Sequence, residues 1–183
     1  MTTTTNRNRY SALSISAHWL TALLIIAVYC LIEFRDIFPR GSDGREAMKM
    51  WHIMLGLVIF GLVFVRLAAL AVYRIPPIMP TPPAWQHILA KWMHFALWLF
   101  LIAMPVLGWL TLSAQGKPVP FFGLELPALL APDKALGHQL EEIHETIGTI
   151  GYWLIGLHVV AALYHHHFMR DDTLLRMLPQ RAG

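Results

Sequence analysis

The chain has 183 residues, 56% of them hydrophobic and 14% charged, with a mean hydropathy of +0.52. That is the composition of a membrane protein and excludes an ordinary soluble enzyme. The formal charge of +3 comes without a basic arm, which argues against a nucleic-acid partner, and the single cysteine, Cys30, excludes an internal disulfide.

At about 20 apolar residues per span, the length suits four spans. The N-terminal MTTTTNRNRY leads straight into apolar sequence without a small-residue cleavage site, so the first span is expected to be retained. That span covers 12–34, with Arg7 and Arg9 before it, His18 about two turns inside, and Trp19 as an interface anchor. Residues 35–46, RDIFPRGSDGRE, form a polar, turn-rich loop. The second span covers 47–73, with His52 near its start and Arg66 near its end. The prolines of RIPPIMPTPP, 74–83, forbid helix and make a short stiff connector. The third span covers 87–113, with Trp85, Trp92 and His94 near its beginning and a kink expected at Pro105. Residues 114–140 form a longer loop, rich in Gly and Pro from Gly116 to Gly123 and charged, helix-compatible at its end. The fourth span covers 141–168, and an amphipathic tail of mixed charge follows. With no internal repeat and no soluble segment, residues 1–183 read as a single transmembrane domain. The fold class expected is an all-α membrane protein, a four-transmembrane-helix up-and-down bundle.

Four spans put both termini and the 74–91 connector on one side. That side carries Arg7, Arg9, Arg74, Lys91, Arg170, Arg176 and Arg181; the other carries Arg35, Arg40, Arg45, Lys49, Lys117 and Lys134. The narrow excess favours cytoplasmic termini.

The fourth span carries His144 and His158. Fourteen residues are close to four helical turns, so the two imidazoles leave one face about 21 Å apart along the axis. Gly148 and Gly151 lie between them on that stripe and keep it smooth for a flat ring. By depth, His158 matches His18 and His144 matches His52, giving one pair near each membrane surface. Opposed imidazoles on facing helices suit the iron of a haem, so two haem groups are expected. Gly56, one turn beyond His52, clears further space. Arg66 lies fourteen residues after His52 and on the same face. It either holds a haem propionate or snorkels to the headgroups. His94 either replaces His18 as a ligand or is a packed histidine bonded to a carbonyl. His165 either delivers a proton to a bound quinone or is solvated at the interface. The run His165, His166, His167 cannot converge on one ion, because neighbours on a helix diverge by about 100°.

Several stretches resemble the bacterial cytochrome b561 family of small membrane dihaem cytochromes: RYSALSISAHWL (9–20), EFRDIFPR (33–40), the His52 region, HET and GYWLIGLH around His144 and His158, and DDTLLRMLP (171–179). They span nearly the whole chain. The resemblance implies two haems b, ligated by His18, His52, His144 and His158. It further implies an oxidoreductase of the bacterial inner membrane that oxidises superoxide at the periplasmic face and reduces ubiquinone. On that reading Arg35, Arg40, Arg45 and Lys49, just before His52, steer an anionic donor. The plainer reading is a mixed-charge loop, since Asp36, Asp43 and Glu46 lie among them. One alternative is an electron-relay anchor for a partner dehydrogenase or another periplasmic electron donor. A second is a haem-free metal transporter built on the ten histidines.

Overall fold

The computed structural model describes residues 9–179, so Arg7 and Arg181 of the charge comparison lie outside the described residues. Four long helices dominate: α1 Ala12–Glu33, α2 Asp43–Val72, α3 Ala84–Ala114 and α4 Lys134–Tyr164. All four are long and apolar enough to cross a membrane. Each start has a local cause. The Ser11 hydroxyl accepts from the Ser14 amide at 3.1 Å, and Ser42 accepts from the Arg45 amide at 3.4 Å. Pro83 precedes α3, where a missing N–H costs nothing. Asp133 accepts from the amides of Ala135 and Leu136, and this cap starts α4 well before the expected residue 141. Helix α3 continues through Pro105 to Ala114. It ends on Gly116 at φ +68, with Lys117 N–H returning to Leu112 C=O, a closing turn that favours glycine.

α1 lies along α2 and α3 along α4, with lighter packing of α2 on α3. Ile59, Val63 and Leu101 form the buried centre, flanked by Leu24, Ile25, Val28, Trp98 and Phe100. Outward-facing residues are large and apolar, as in Trp153 (80% exposed) and Phe168 (77% exposed). In water such a surface would aggregate; in lipid it is the correct solvent match.

The two ends of the bundle differ. At the hairpin end, strands Val119–Phe121 (β1) and Leu124–Leu126 (β2) form a two-stranded ribbon through Phe122 and Gly123, both at positive φ. Val119 is buried, and the Phe122 amide donates to the Met54 thioether at 3.3 Å. The ribbon thus lies over α2, where the sequence suggests only a loop.

At the other end, which we call the terminal end, the tail folds back and locks. After α4 a π-helical turn, His165–Met169, leads to Arg170 at φ 54 and a short 3-10 turn, Leu175–Met177. Asp172 exchanges hydrogen bonds with Met79: its amide donates to the Met79 carbonyl at 3.0 Å and its carboxylate accepts from the Met79 amide at 2.9 Å. The Trp19 indole donates to Met177 C=O at 2.6 Å, and Arg9 donates to Leu178 C=O at 3.2 Å. Arg176, 5% exposed, donates to Pro76 C=O, pairs with Asp172 at 3.3 Å and stacks over Tyr10. One side chain therefore joins the N-terminus, the α2–α3 connector and the tail. Replacing Arg176 by leucine strands Asp172 and the Pro76 carbonyl, and is expected to cost about 3 kcal/mol. Thermal unfolding in detergent checks this; an unchanged midpoint would show that the latch carries no stability.

Candidate functional site

α4 brings His144 and His158 to a common face, and each meets one other imidazole across the bundle. At the hairpin end the ring centres of His52 and His144 are 6.3 Å apart, with planes at 73°. At the terminal end His18 and His158 are 6.4 Å apart, with planes at 63°. These are the pairs expected from depth alone. Metal–imidazole bonds of about 2.0 Å, and about 1.2 Å from nitrogen to ring centre, place two imidazoles on one metal about 6.4 Å apart. Both pairs fit that span.

The hydrogen bonds differ from ring to ring. His52 Nδ1 lies 3.0 Å from the Val28 carbonyl; that nitrogen must donate, which leaves Nε2 with a bare lone pair suited to a metal. His144 Nδ1 is buried and makes no well-formed hydrogen bond among the described residues, and Gly108 of α3 presses against the same ring, where a Cβ would stand 3.3 Å from its Cε1. At the terminal end Arg66 Nη2 lies 3.2 Å from His18 Nδ1. Arginine only donates, so His18 accepts through Nδ1 and carries its proton on Nε2. Ligation through Nε2 therefore requires Arg66 to release that ring, which frees the guanidinium for a carboxylate. The guanidinium meanwhile sits 4.8 Å over the Trp98 ring.

His94 is a third imidazole at the terminal end. Its ring centre is 5.5 Å from that of His158, too close for a metal between them, and its Nδ1 donates to Ala90 C=O at 2.6 Å. Of its two expected roles, the carbonyl-bonded packed histidine is the one the geometry fits. His165 is also committed: its Nδ1 is 2.6 Å from the Asp171 carboxylate, which leaves Nε2 as its open nitrogen. Burial alone would raise the Asp171 carboxyl, but hydrogen bonds from His165 and Thr173 outweigh it and hold the group below its ordinary value.

The glycines divide. A Cβ on Gly56 would meet open space, and one on Gly148 would meet only the Met104 side chain, at 3.5 Å. A Cβ on Gly151 would overlap both the Tyr29 hydroxyl and the Phe100 ring. Gly151 thus clears space for two side chains, not for a flat ring. Tyr29 in turn donates to Gly148 C=O at 2.7 Å and ties α1 to α4 between the two histidine levels.

The four loop cations are not equivalent. Arg45 is paired with Asp36 and Lys49 with Glu46 at 2.8 Å, so their fields are largely neutralised. Arg35 has its Nε buried and, among the described residues, without a hydrogen-bond partner, and its charge acts on His52. Arg40 is exposed. Beside them, Met50, Trp51, Met54, Phe122 and Leu124 line an apolar cleft of about 490 Å³ under the ribbon.

The prokaryotic cytochrome b561 family matches residues 9–180. Cytochrome b561 homolog 1 of Escherichia coli (strain K12) is 38% identical over 174 residues, covering 95% of this chain and 99% of that protein. The probable superoxide oxidase CybB of Yersinia pestis is 37% identical over 175 residues, 96% of this chain and 98% of that protein. Cytochrome b561 homolog 2 of Escherichia coli (strain K12) is 27% identical over 179 residues, 97% of this chain and 95% of that protein. With a four-helix membrane bundle and this coverage, the chain belongs to the prokaryotic cytochrome b561 family, bacterial multi-pass membrane proteins that bind haem b and transfer electrons.

Proposed function

We propose that the protein binds two haems b and carries electrons across the bacterial inner membrane, from superoxide at the periplasmic face to ubiquinone. The carrying observation is the spacing of 6.3 Å and 6.4 Å in two imidazole pairs that share α4. His52 and His144 hold one haem, His18 and His158 the other. Haem, when bound, would supply a one-electron carrier at each level, held by one imidazole from each of two helices. Such a site favours electron transfer at the haem edge over oxygen binding. The hairpin end faces the periplasm and the terminal end the cytoplasm, in keeping with the narrow excess of Lys and Arg at the termini. Superoxide gives up one electron and leaves as oxygen; two such electrons and two protons convert ubiquinone to ubiquinol. On the terminal side His165, held by Asp171 through Nδ1, presents Nε2 as the proton-donating group. Arg66, once free of His18, holds a haem propionate. Gly56 and Gly148 leave room against the hairpin-end ring.

Steering of the anionic donor falls mainly to Arg35 and Arg40, because Arg45 and Lys49 face carboxylates. Stopped-flow mixing of the oxidised holoprotein with superoxide is expected to reduce the haems, at a rate that falls as salt rises. Haems that stay oxidised at every ionic strength would rule superoxide out as donor. The neutralised pairs keep one other reading in play, a relay for a partner dehydrogenase or periplasmic protein. Co-purification with such a partner, and inactivity without it, would favour that reading. For a haem-free metal transporter there is no support: among the described residues no three His, Cys, Asp or Glu side chains gather around one point.

A further inference from the structure

The two imidazole pairs sit in unlike electrical surroundings. The hairpin-end pair feels charges of opposite sign, Arg35 acting on His52 and Glu141 on His144, which offset one another. At the terminal end the charged group is Arg66, 3.2 Å from His18 Nδ1, and the ring of His94 packs against His158. Among the described residues no carboxylate forms an ion pair with Arg66. A guanidinium stays charged in proteins, and inside the span salt screens it poorly.

α3 supplies no member of either pair, yet it builds this asymmetry. Trp98 holds the guanidinium over its ring at 4.8 Å. One turn earlier, His94 packs edge-on against His158 at 5.5 Å. The brace does not depend on the Arg66–His18 hydrogen bond, so the charge stays local even when His18 turns to a metal. Reduction of an iron lowers the positive charge of its site by one, and a fixed cation nearby favours that change. Each haem would bring the same carboxylates, so one held by Arg66 at the terminal end is matched by its counterpart at the hairpin end, and the guanidinium remains the difference between the levels.

Resting on the reading that each pair ligates a haem, we propose that Arg66, positioned by Trp98, makes the terminal-end haem the stronger electron acceptor of the two. The protein is thereby rectified from within: an electron that enters at the hairpin end settles at the terminal end.

Redox potentiometry followed in the visible spectrum tests this on the purified full-length holoprotein, with haem per chain counted in parallel. His144→Ala reports the terminal-end haem alone and His158→Ala the hairpin-end haem alone. The expected order puts the His144→Ala protein at the more positive midpoint. In the two-haem protein, Arg66→Met is expected to move the upper step negative and leave the lower one in place. Arg66→Lys keeps the charge and most of the potential. Equal or reversed midpoints in the single-haem variants overturn the proposal, as does an upper step that Arg66→Met does not move. If Arg66→Met sheds its terminal-end haem, the order in the two histidine variants still decides. A wild-type protein without haem overturns the functional reading and the proposal with it; two haems in the wrong order overturn the proposal alone.

Discussion

Alanine at His158 is expected to leave about one haem per chain in place of two, and alanine at His144 to do the same at the other level. The reason is the separation of the pairs. Fourteen residues of α4 put about 21 Å between the two histidines, and Tyr29, Phe100 and Gly151 fill the level between them. Losing one ligand therefore removes one site without dismantling the other. His94→Ala is the informative control: if its ring only packs against His158 at 5.5 Å, both haems are retained. Haem counted per chain, with the reduced-minus-oxidised spectrum, decides the matter. Loss of both haems from each single variant would mean that the two levels form one cooperative site. Loss of the terminal-end haem from His94→Ala would make α3 a ligand helix after all.

What could be read from the sequence was whatever depends on one helix at a time. Hydropathy marks four spans because lipid contact is set residue by residue. Helical periodicity places His144 and His158 on one face, and depth then pairs them with His52 and His18, because all four helices share a membrane frame. The features missed all depend on contacts between distant segments. The ribbon β1–β2 was disguised by prolines and by a Phe–Gly turn in place of the usual Asn–Gly, although VPF and LEL flank it with suitable strand residues. The tail appeared merely amphipathic; its order comes from Met79, Pro76, Tyr10 and Trp19, residues about 100 to 160 positions away. For Arg66 the sequence offers a propionate or the headgroups, and nothing local in it points to His18 and Trp98. The loop charges are legible in the sequence, but only the fold shows that Arg45 and Lys49 are paired while the Nε of Arg35 is buried.

The second large effect concerns a glycine whose sequence position suggested a different role. Gly151→Ala is expected to destabilise the bundle, whereas Gly156→Ala, one turn and a half further along the same helix, is expected to stabilise it slightly. An added methyl at Gly156 meets nothing within 4 Å, so the ordinary preference of a helix for alanine, about 1 kcal/mol, is all that acts. At Gly151 the same methyl overlaps the Tyr29 hydroxyl and the Phe100 ring. Neither can yield freely. Tyr29 is held by its hydrogen bond to Gly148 C=O, and Phe100 packs on the buried centre. Overpacking of this kind costs about 1–3 kcal/mol, and a broken tyrosine bond adds about 1 kcal/mol. The clash lies where α1, α3 and α4 converge, so the strain reaches both histidine levels, and haem retention on heating is expected to fall together with the unfolding midpoint. Adding Tyr29→Phe to Gly151→Ala removes the hydroxyl half of the overlap and should recover part of the loss; a double variant no better than Gly151→Ala would put the obstruction at Phe100 alone. If Gly151→Ala unfolds at the same temperature as Gly156→Ala, the close approach of these helices is not what the glycine is for, and the smooth-face reading of Gly151 becomes the better one.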